Sequence, residues 1–324
     1  DELRKDLWGD LGNGFYQNPI LNADYSDPDV IRGKTILVRA TDGLGDTFSF
    51  FKFLALLKEK GAGKVVAKVQ GPIKGVMSRS TGYADEVLAT GEEDPEFDFD
   101  CYLMGLPALL GIERVDQLLR DRGQYIHPYQ DEHVNLTRQW VDYLRSENKG
   151  RPLAIAWAAS KNPVPGGRLL KRNIPLYILA KLADRVAGSF LYSLQGDGRK
   201  PIFKDDWDKL DNDEQYEKRN DWVYGHQMNK IQCFDGNFDK KPFEDSVALM
   251  CALREVGGAV VSVDTSVPNL AGACDVPACM LLSRNSADSR WGNPPADIVR
   301  PNRMFRSVTN FVQPVEGQWE PVIE

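Results

Sequence analysis

Most of the short signatures that announce a reaction are missing from this sequence. No G-x-G-x-x-G is present. Gly43 and Gly45 fill its first two positions, but Phe48 stands where close helix–strand packing needs a third glycine. There is no G-x-S-x-G elbow and no H-E-x-x-H. The three histidines, His127, His133 and His226, are scattered with no cysteine beside them, which speaks against a zinc centre. The five cysteines, Cys101, Cys233, Cys251, Cys274 and Cys279, are odd in number and form no C-x-x-C. They read as buried free thiols of a reducing compartment, so a cytoplasmic protein is expected. No run of 18 apolar residues exists, and DELRKDLWGD at the start has no signal-peptide pattern. Positive charge is also short: 40 basic against 47 acidic residues leave a net charge of −7, which disfavours nucleic acid and anionic membrane as partners.

What is present is an ordinary globular composition, 42% hydrophobic and 10% aromatic over 324 residues, enough for two cores. The most informative stretch is Thr35 to Leu57. TILVRA is a short β-branched run, Asp42-Gly43-Leu44-Gly45-Asp46 is a turn, and from Thr47 apolar residues recur at Phe50, Phe51, Leu54 and Leu57. A buried strand, a glycine turn and a helix follow one another there. A strand-to-helix turn of this kind sits at the carboxyl edge of a parallel sheet, where α/β proteins bind ligands. Asp46 would repel a pyrophosphate on the same N–H groups, so the turn reads as positioning a carboxylate. An ordinary N-cap is the competing reading of Asp46.

Strand and helix then alternate along the chain. Residues 1–34 are an irregular lead-in, with Trp8, Phe15 and Tyr16 as anchors. Strands are expected at 64–69, 84–88 and 100–104, a short helix from Gly71, and a helix over 131–146 with Val134, Trp140, Val141 and Leu144 inward. The acidic GEEDPEFD between them reads as a solvated loop. Ser146–Pro152 is the linker, which divides the chain into residues 1–148 and 149–324. The pattern restarts with strands at 153–158, 189–195, 259–263 and 277–282, the last taken as the final sheet strand. Helices are expected over 175–187, 243–255 and 267–274. Residues 196–242 are a charged insertion, either a lid or a solvated excursion. The architecture that follows is two α/β domains of parallel sheet facing each other across a cleft.

Two segments of the second half carry candidate binding groups. A strand ends at Asp264 and is followed at once by Thr265, Ser266 and a helix start, a generic anion cradle that is also a normal capping run. The loop 160–173 holds Lys161, Arg168, Lys171 and Arg172. Loops after parallel strands share one edge, so these bases would meet Thr265 and Ser266 around a diphosphate, or else remain a solvated loop.

At these residues the chain resembles the GT-B glycosyltransferases of the heptosyltransferase-like group, family 9, in the variant that follows tetratricopeptide repeats. The shared segments run in family order: GKTILVRATDGLGDTFSFFKFLALLKEKGA, FDCYLMGLPALLG, LAIAWAAS with KRNIPL, FLYSLQ, FEDSVALM, VVSVDTSVPNLAGACDVPACMLL, and SRW with MFR. The resemblance implies a GT-B fold of two Rossmann-like domains. It also implies inverting, metal-independent transfer of a sugar from a nucleotide diphosphate sugar to an acceptor hydroxyl, with no cofactor. The acceptor, a glycan, a lipid-linked saccharide or a protein, would sit on the first domain beside Gly43 and Gly45, with Asp46 as general base. The donor would sit on the second domain, with Asp264 at the sugar, Thr265 and Ser266 at the diphosphate, and Asn269, Lys171, Arg172, Lys161 and Gln195 around them. Asn269 stands where many relatives have histidine, the 160–173 loop lacks their His-Lys-Asn-Asp pattern, and no repeat array is present. A sugar-nucleotide epimerase on the same scaffold and a non-catalytic sugar-nucleotide or glycan-binding module are the competing readings.

Overall fold

A computed structural model describes residues 26–80, 82–112, 119–129, 135–146, 150–159, 172–195, 201–202, 204–218, 220–223, 231–233, 243–284 and 298–324. Trp8, Phe15, Tyr16, Val134, Lys161, Arg168 and Lys171 lie outside the described residues.

The first sheet is fully parallel and is built from β1 (Thr35–Arg39), β2 (Lys64–Val69), β3 (Glu86–Ala89) and β4 (Phe99–Tyr102), in the order β3-β2-β1-β4. Ile36, Leu37 and Val38 are all buried, which is why β1 reads as a continuous apolar run rather than an alternating one. The chain leaves β1 for β2 and β3 on one side and returns to β4 on the other. The order therefore reverses beside β1, and the turn after β1 opens onto the switch-point crevice.

Helix α1 (Leu44–Phe50) follows that turn, with its first residue three positions earlier than the apolar period suggests. A tight turn over Phe51–Phe53 joins it to α2 (Leu54–Glu59). Phe48, Phe50, Phe51, Phe53, Leu54 and Leu57 are all fully buried. Helix α3 (Leu136–Ser146) leads toward the second half and buries Val141 and Leu144.

The second sheet has seven strands, β5 (Arg151–Ala156), β6 (Ser189–Ser193), β7 (Ile231–Cys233), β8 (Ala259–Val263), β9 (Ala278–Leu282), β10 (Val299–Pro301) and β11 (Val308–Val312). Their order is β10-β11-β9-β8-β5-β6-β7, parallel throughout except for β10 against β11. Its switch point lies between β5 and β8, at the strand end that carries Asp264. Helix α4 (Glu244–Glu255) precedes β8 and α5 (Ser266–Ala273) follows it.

Three expectations need correcting. The region 196–242 is no mere excursion, because β7 within it pairs with β6 and extends the sheet. The strand at 278–282 is not the last: β11 pairs with it in parallel, and β10 closes the edge. The helix expected over 175–187 is two short helices, Leu176–Leu179 and Leu182–Arg185. The missed strands are short or lie in charged and proline-bearing surroundings, where pairing partners rather than local pattern decide the conformation. The acidic loop after β3 is exposed, as expected, and ion pairs tether it to the sheet. Asp94 takes Arg39 at 2.8 Å and also Lys68, and Glu92 takes Lys74 at 2.6 Å. The two cations hold the Asp94 carboxyl down at about 2.

One apolar core runs through both halves, from Ile36 and Phe48 to Val247, Leu270 and Met280. Phe48 meets Phe243 edge-on at 5.7 Å. The two halves are therefore joined by apolar packing.

Candidate functional site

The site is built where α1 of the first lobe meets α5 of the second. Gly43 caps α1 in extended backbone, so Asp46 is the third helical residue and not the cap itself. Its Oδ2 accepts the Gly43 N–H at 2.9 Å. That bond closes the turn and sets the carboxylate at the positive end of the helix. Gln70, at the end of β2, braces the same turn. It donates to the Asp42 carbonyl at 2.7 Å and accepts from the Thr47 hydroxyl at 3.0 Å.

Across the seam, Thr265 caps α5 and accepts the Val267 N–H at 3.2 Å, while its hydroxyl also lies 3.3 Å from Ser262 Oγ. The two turns touch. A Cβ on Gly45 would lie 3.0 Å from Asn269 Nδ2, 3.3 Å from Ser266 Cα and 3.5 Å from the Thr265 carbonyl oxygen. Gly45 is thus a glycine of close approach between lobes. Buried Ser49 donates to Asn269 Oδ1 at 2.7 Å, and Asn269 Nδ2 donates to the Thr265 carbonyl at 2.7 Å.

The remaining candidates divide. Arg172 reaches Asp264 at 3.3 Å, joining the loop after β5 to the end of β8. Its Nε is buried and has no hydrogen-bond partner among the described residues. Gln195 faces backbone: Oε1 accepts from Trp157 N at 3.2 Å and Ala158 N at 3.1 Å, and Nε2 donates to the Ala158 carbonyl at 3.0 Å. It stitches the exit of β5 in place. Lys161 and Lys171 fall outside the described residues. Among the described residues, no group of three or more His, Cys, Asp or Glu is placed to hold a metal ion.

The composition and motifs did not reveal how strongly the lobes are tied. Arg79 grips Glu244 of α4 with both nitrogens, at 3.0 and 2.6 Å, and its Nε donates to the His127 carbonyl. Burial and the neighbouring Arg254 and Arg79 push the His127 imidazole below its usual range. Tyr125 N and Ile126 N both donate to the Ala273 carbonyl, and the Tyr125 hydroxyl donates to the Phe48 carbonyl. Lys52 is the least expected member. It is fully buried, donates to the Met304 carbonyl, and lies 4.7 Å from the centre of the Phe305 ring. Its one sequence signal is a lysine inside the apolar run FSFFKFLALL.

Burial lowers the Lys52 pKa to about 7, with Asp121 pulling weakly the other way. Between that value and 10.5 the unfolded chain binds one more proton than the folded one, so stability rises with pH there, by up to about 1.4 kcal/mol per unit. The full cost of the buried charge is carried below about pH 7. Lys52→Met is expected to flatten this slope, so that its stability relative to wild type falls as pH rises. Urea unfolding at about pH 6, 8 and 9.5 measures it, and parallel profiles for the two proteins would show that Lys52 does not titrate across the transition.

No family model matches the sequence, and no curated protein sequence does. Solved structures do match. ADP-heptose LPS heptosyltransferase II of E. coli superposes with a TM-score of 0.50 at 12% identity, over 86% of this chain and 90% of that one. The fold is that of the GT-B heptosyltransferases. An iron-containing dodecameric glycosyltransferase from enterotoxigenic E. coli also has a TM-score of 0.50, at 9% identity, over 83% of this chain and 63% of that one. A glycosyl transferase family 9 protein from Veillonella parvula has a TM-score of 0.48 at 11% identity. At these identities the likeness is one of fold. Among the described residues no helix is long and apolar enough to cross a membrane.

Proposed function

We propose that this chain is an inverting glycosyltransferase that moves a sugar from a nucleotide diphosphate sugar to an acceptor hydroxyl, with Asp46 as general base. The observation that carries the reading is the contact of the two turns. Gly45 lies against Ser266 and Asn269, so the carboxylate-bearing turn of one lobe and the helix start of the other meet at one seam, which supports binding of both substrates beside it. Both turns also leave the carboxyl ends of strands beside switch points, where ligands of α/β sheets bind.

The chemistry fits this placement. An acceptor hydroxyl attacking C1 must lose a proton, and a carboxylate on the first lobe takes it. The nucleoside diphosphate leaves with growing negative charge. The Ser266 N–H at the start of α5 and the Arg172 guanidinium would receive it, the Val267 N–H being taken by the Thr265 hydroxyl. Inversion requires base and leaving group on opposite faces of C1, an arrangement that groups on opposite lobes can supply. Arg172 also fixes Asp264, the residue assigned to the donor sugar. Lys161 and Lys171 remain assigned to the diphosphate, and an acceptor on the Gly43–Gly45 side is part of the same proposal. The fold match includes an enzyme named for ADP-heptose, which makes ADP-linked sugars the first donors to try.

A thermal-shift screen of ADP-, GDP-, UDP-, dTDP- and CMP-linked sugars tests it. One class is expected to stabilise the chain, by about 2.7 kcal/mol at a hundred times its Kd. The same donor must then be consumed only when an acceptor is added. Turnover without acceptor to an isomeric nucleotide sugar would show an epimerase instead, and binding with no turnover a recognition module.

A further inference from the structure

The amide of Asn269 lies beside the diphosphate-type turn, yet both of its ends are engaged within the protein. Oδ1 receives Ser49 Oγ at 2.7 Å, and Nδ2 is given to the Thr265 carbonyl at 2.7 Å. Asn269 is 3% exposed and Ser49 1%. One N–H and one lone pair of the amide are used within the protein, and its burial withholds the remainder from a ligand in the solvent beyond. What it does offer is a bridge between residues 220 apart in sequence. Ser49 stands three residues after Asp46, about one helical turn on, so the two lie on the same side of α1. Thr265 is the cap of α5. The path Asp46 helix, Ser49, Asn269, Thr265 carbonyl is therefore continuous from the proposed base to the turn that would hold the diphosphate.

We propose that Asn269 is a positioning residue that sets the two lobes in register through Ser49, holding Asp46 at a fixed offset from the Thr265–Ser266 turn, and is not a ligand of the donor. The inference rests on the transferase reading. Its physical basis is that reactions between groups held by separate bodies lose rate steeply with misplacement, on the order of 10²-fold for about 1 Å. Gly45 brings the backbones into contact, and the Ser49–Asn269 bond fixes where along that contact they sit. Removing either partner leaves the other buried and unsatisfied, so the seam must shift or admit water.

The test compares Ser49→Ala, Asn269→Ala and the double variant with wild type. Nucleoside diphosphate affinity is measured by calorimetry with the nucleotide that the donor screen selects, and kcat and KM by sugar transfer. Each single variant is expected to lower kcat by about tenfold or more while nucleotide Kd stays within about threefold. The double variant is expected to be no slower than the worse single one, because the pair acts as a unit. A fall of about tenfold in nucleotide affinity for Asn269→Ala, with Ser49→Ala unaffected, would overturn the assignment and make Asn269 a direct ligand. A loss of kcat that merely follows the folded fraction, read by circular dichroism, overturns it as well. Wild-type transfer with unchanged kcat in both singles removes the positioning role alone. Absence of transfer by wild type from any donor removes the transferase reading beneath it.

Discussion

Asp46→Ala is expected to lower the rate of sugar transfer by about 10²–10⁴-fold, the range that a positioned general base contributes, while nucleotide affinity stays near wild type. The asymmetry follows from where the groups sit. Asp46 belongs to the first lobe and bonds its own turn through Gly43, whereas the diphosphate-type groups belong to α5 and to Arg172 in the second. Truncation also removes the Oδ2 bond to Gly43 N, so some loss of stability is expected, about 1 kcal/mol by analogy with other helix-start contacts. Asp46→Asn separates the two effects. Its amide oxygen can still accept from Gly43 N, but the side chain no longer takes a proton. The asparagine variant is therefore expected to fold as wild type and to be as slow as the alanine one. Near-normal turnover in either would end the assignment of Asp46 as the base.

Gly45→Val should be nearly as damaging by a different route. The first side-chain carbon already meets Asn269 Nδ2 at 3.0 Å and the Ser266 Cα at 3.3 Å, and valine adds two methyl groups beyond it. Backbone blocks one side of that space, so the strain is relieved by parting α1 from α5. Overpacking of this kind costs about 1–3 kcal/mol. The functional cost is larger, on the order of 10² in rate, because Asp46 moves with α1. Small-angle scattering tells the two variants apart. Asp46→Asn should leave the radius of gyration unchanged, and Gly45→Val should increase it. A valine variant with full transfer activity would mean that the contact between the lobes plays no part in the reaction.

The β1 turn and α1 were legible because a parallel strand buried on both faces is a plain apolar run, and because Gly43 and Gly45 punctuate it. The Asp264–Thr265–Ser266 turn was legible for the same reason. Their meeting was not. Ser49 and Asn269 are unremarkable in a helix face and become a pair only when two chain segments far apart in sequence pack together. The family resemblance places Asn269 with the donor groups, at a position where relatives have histidine, and in the fold its amide bonds Ser49 and the Thr265 carbonyl. Gln195, also placed with the donor groups, bonds the backbone of Trp157 and Ala158. Local pattern does not report which partners a buried amide finds across the fold. Lys52 shows the reverse: its charge interrupts an apolar run, and only the Met304 carbonyl and the Phe305 ring explain how it is tolerated.

By itself the sequence determined the class of architecture, the two strand-ending turns and the chemical types at them, since hydrophobic period and glycine placement act locally. Tertiary structure alone decided that β7, β10 and β11 join the second sheet, that both turns fall beside switch points, and that Gly45 touches Ser266. Strand order and contacts between lobes are set by the summed burial of surfaces distant along the chain, and no local window contains them.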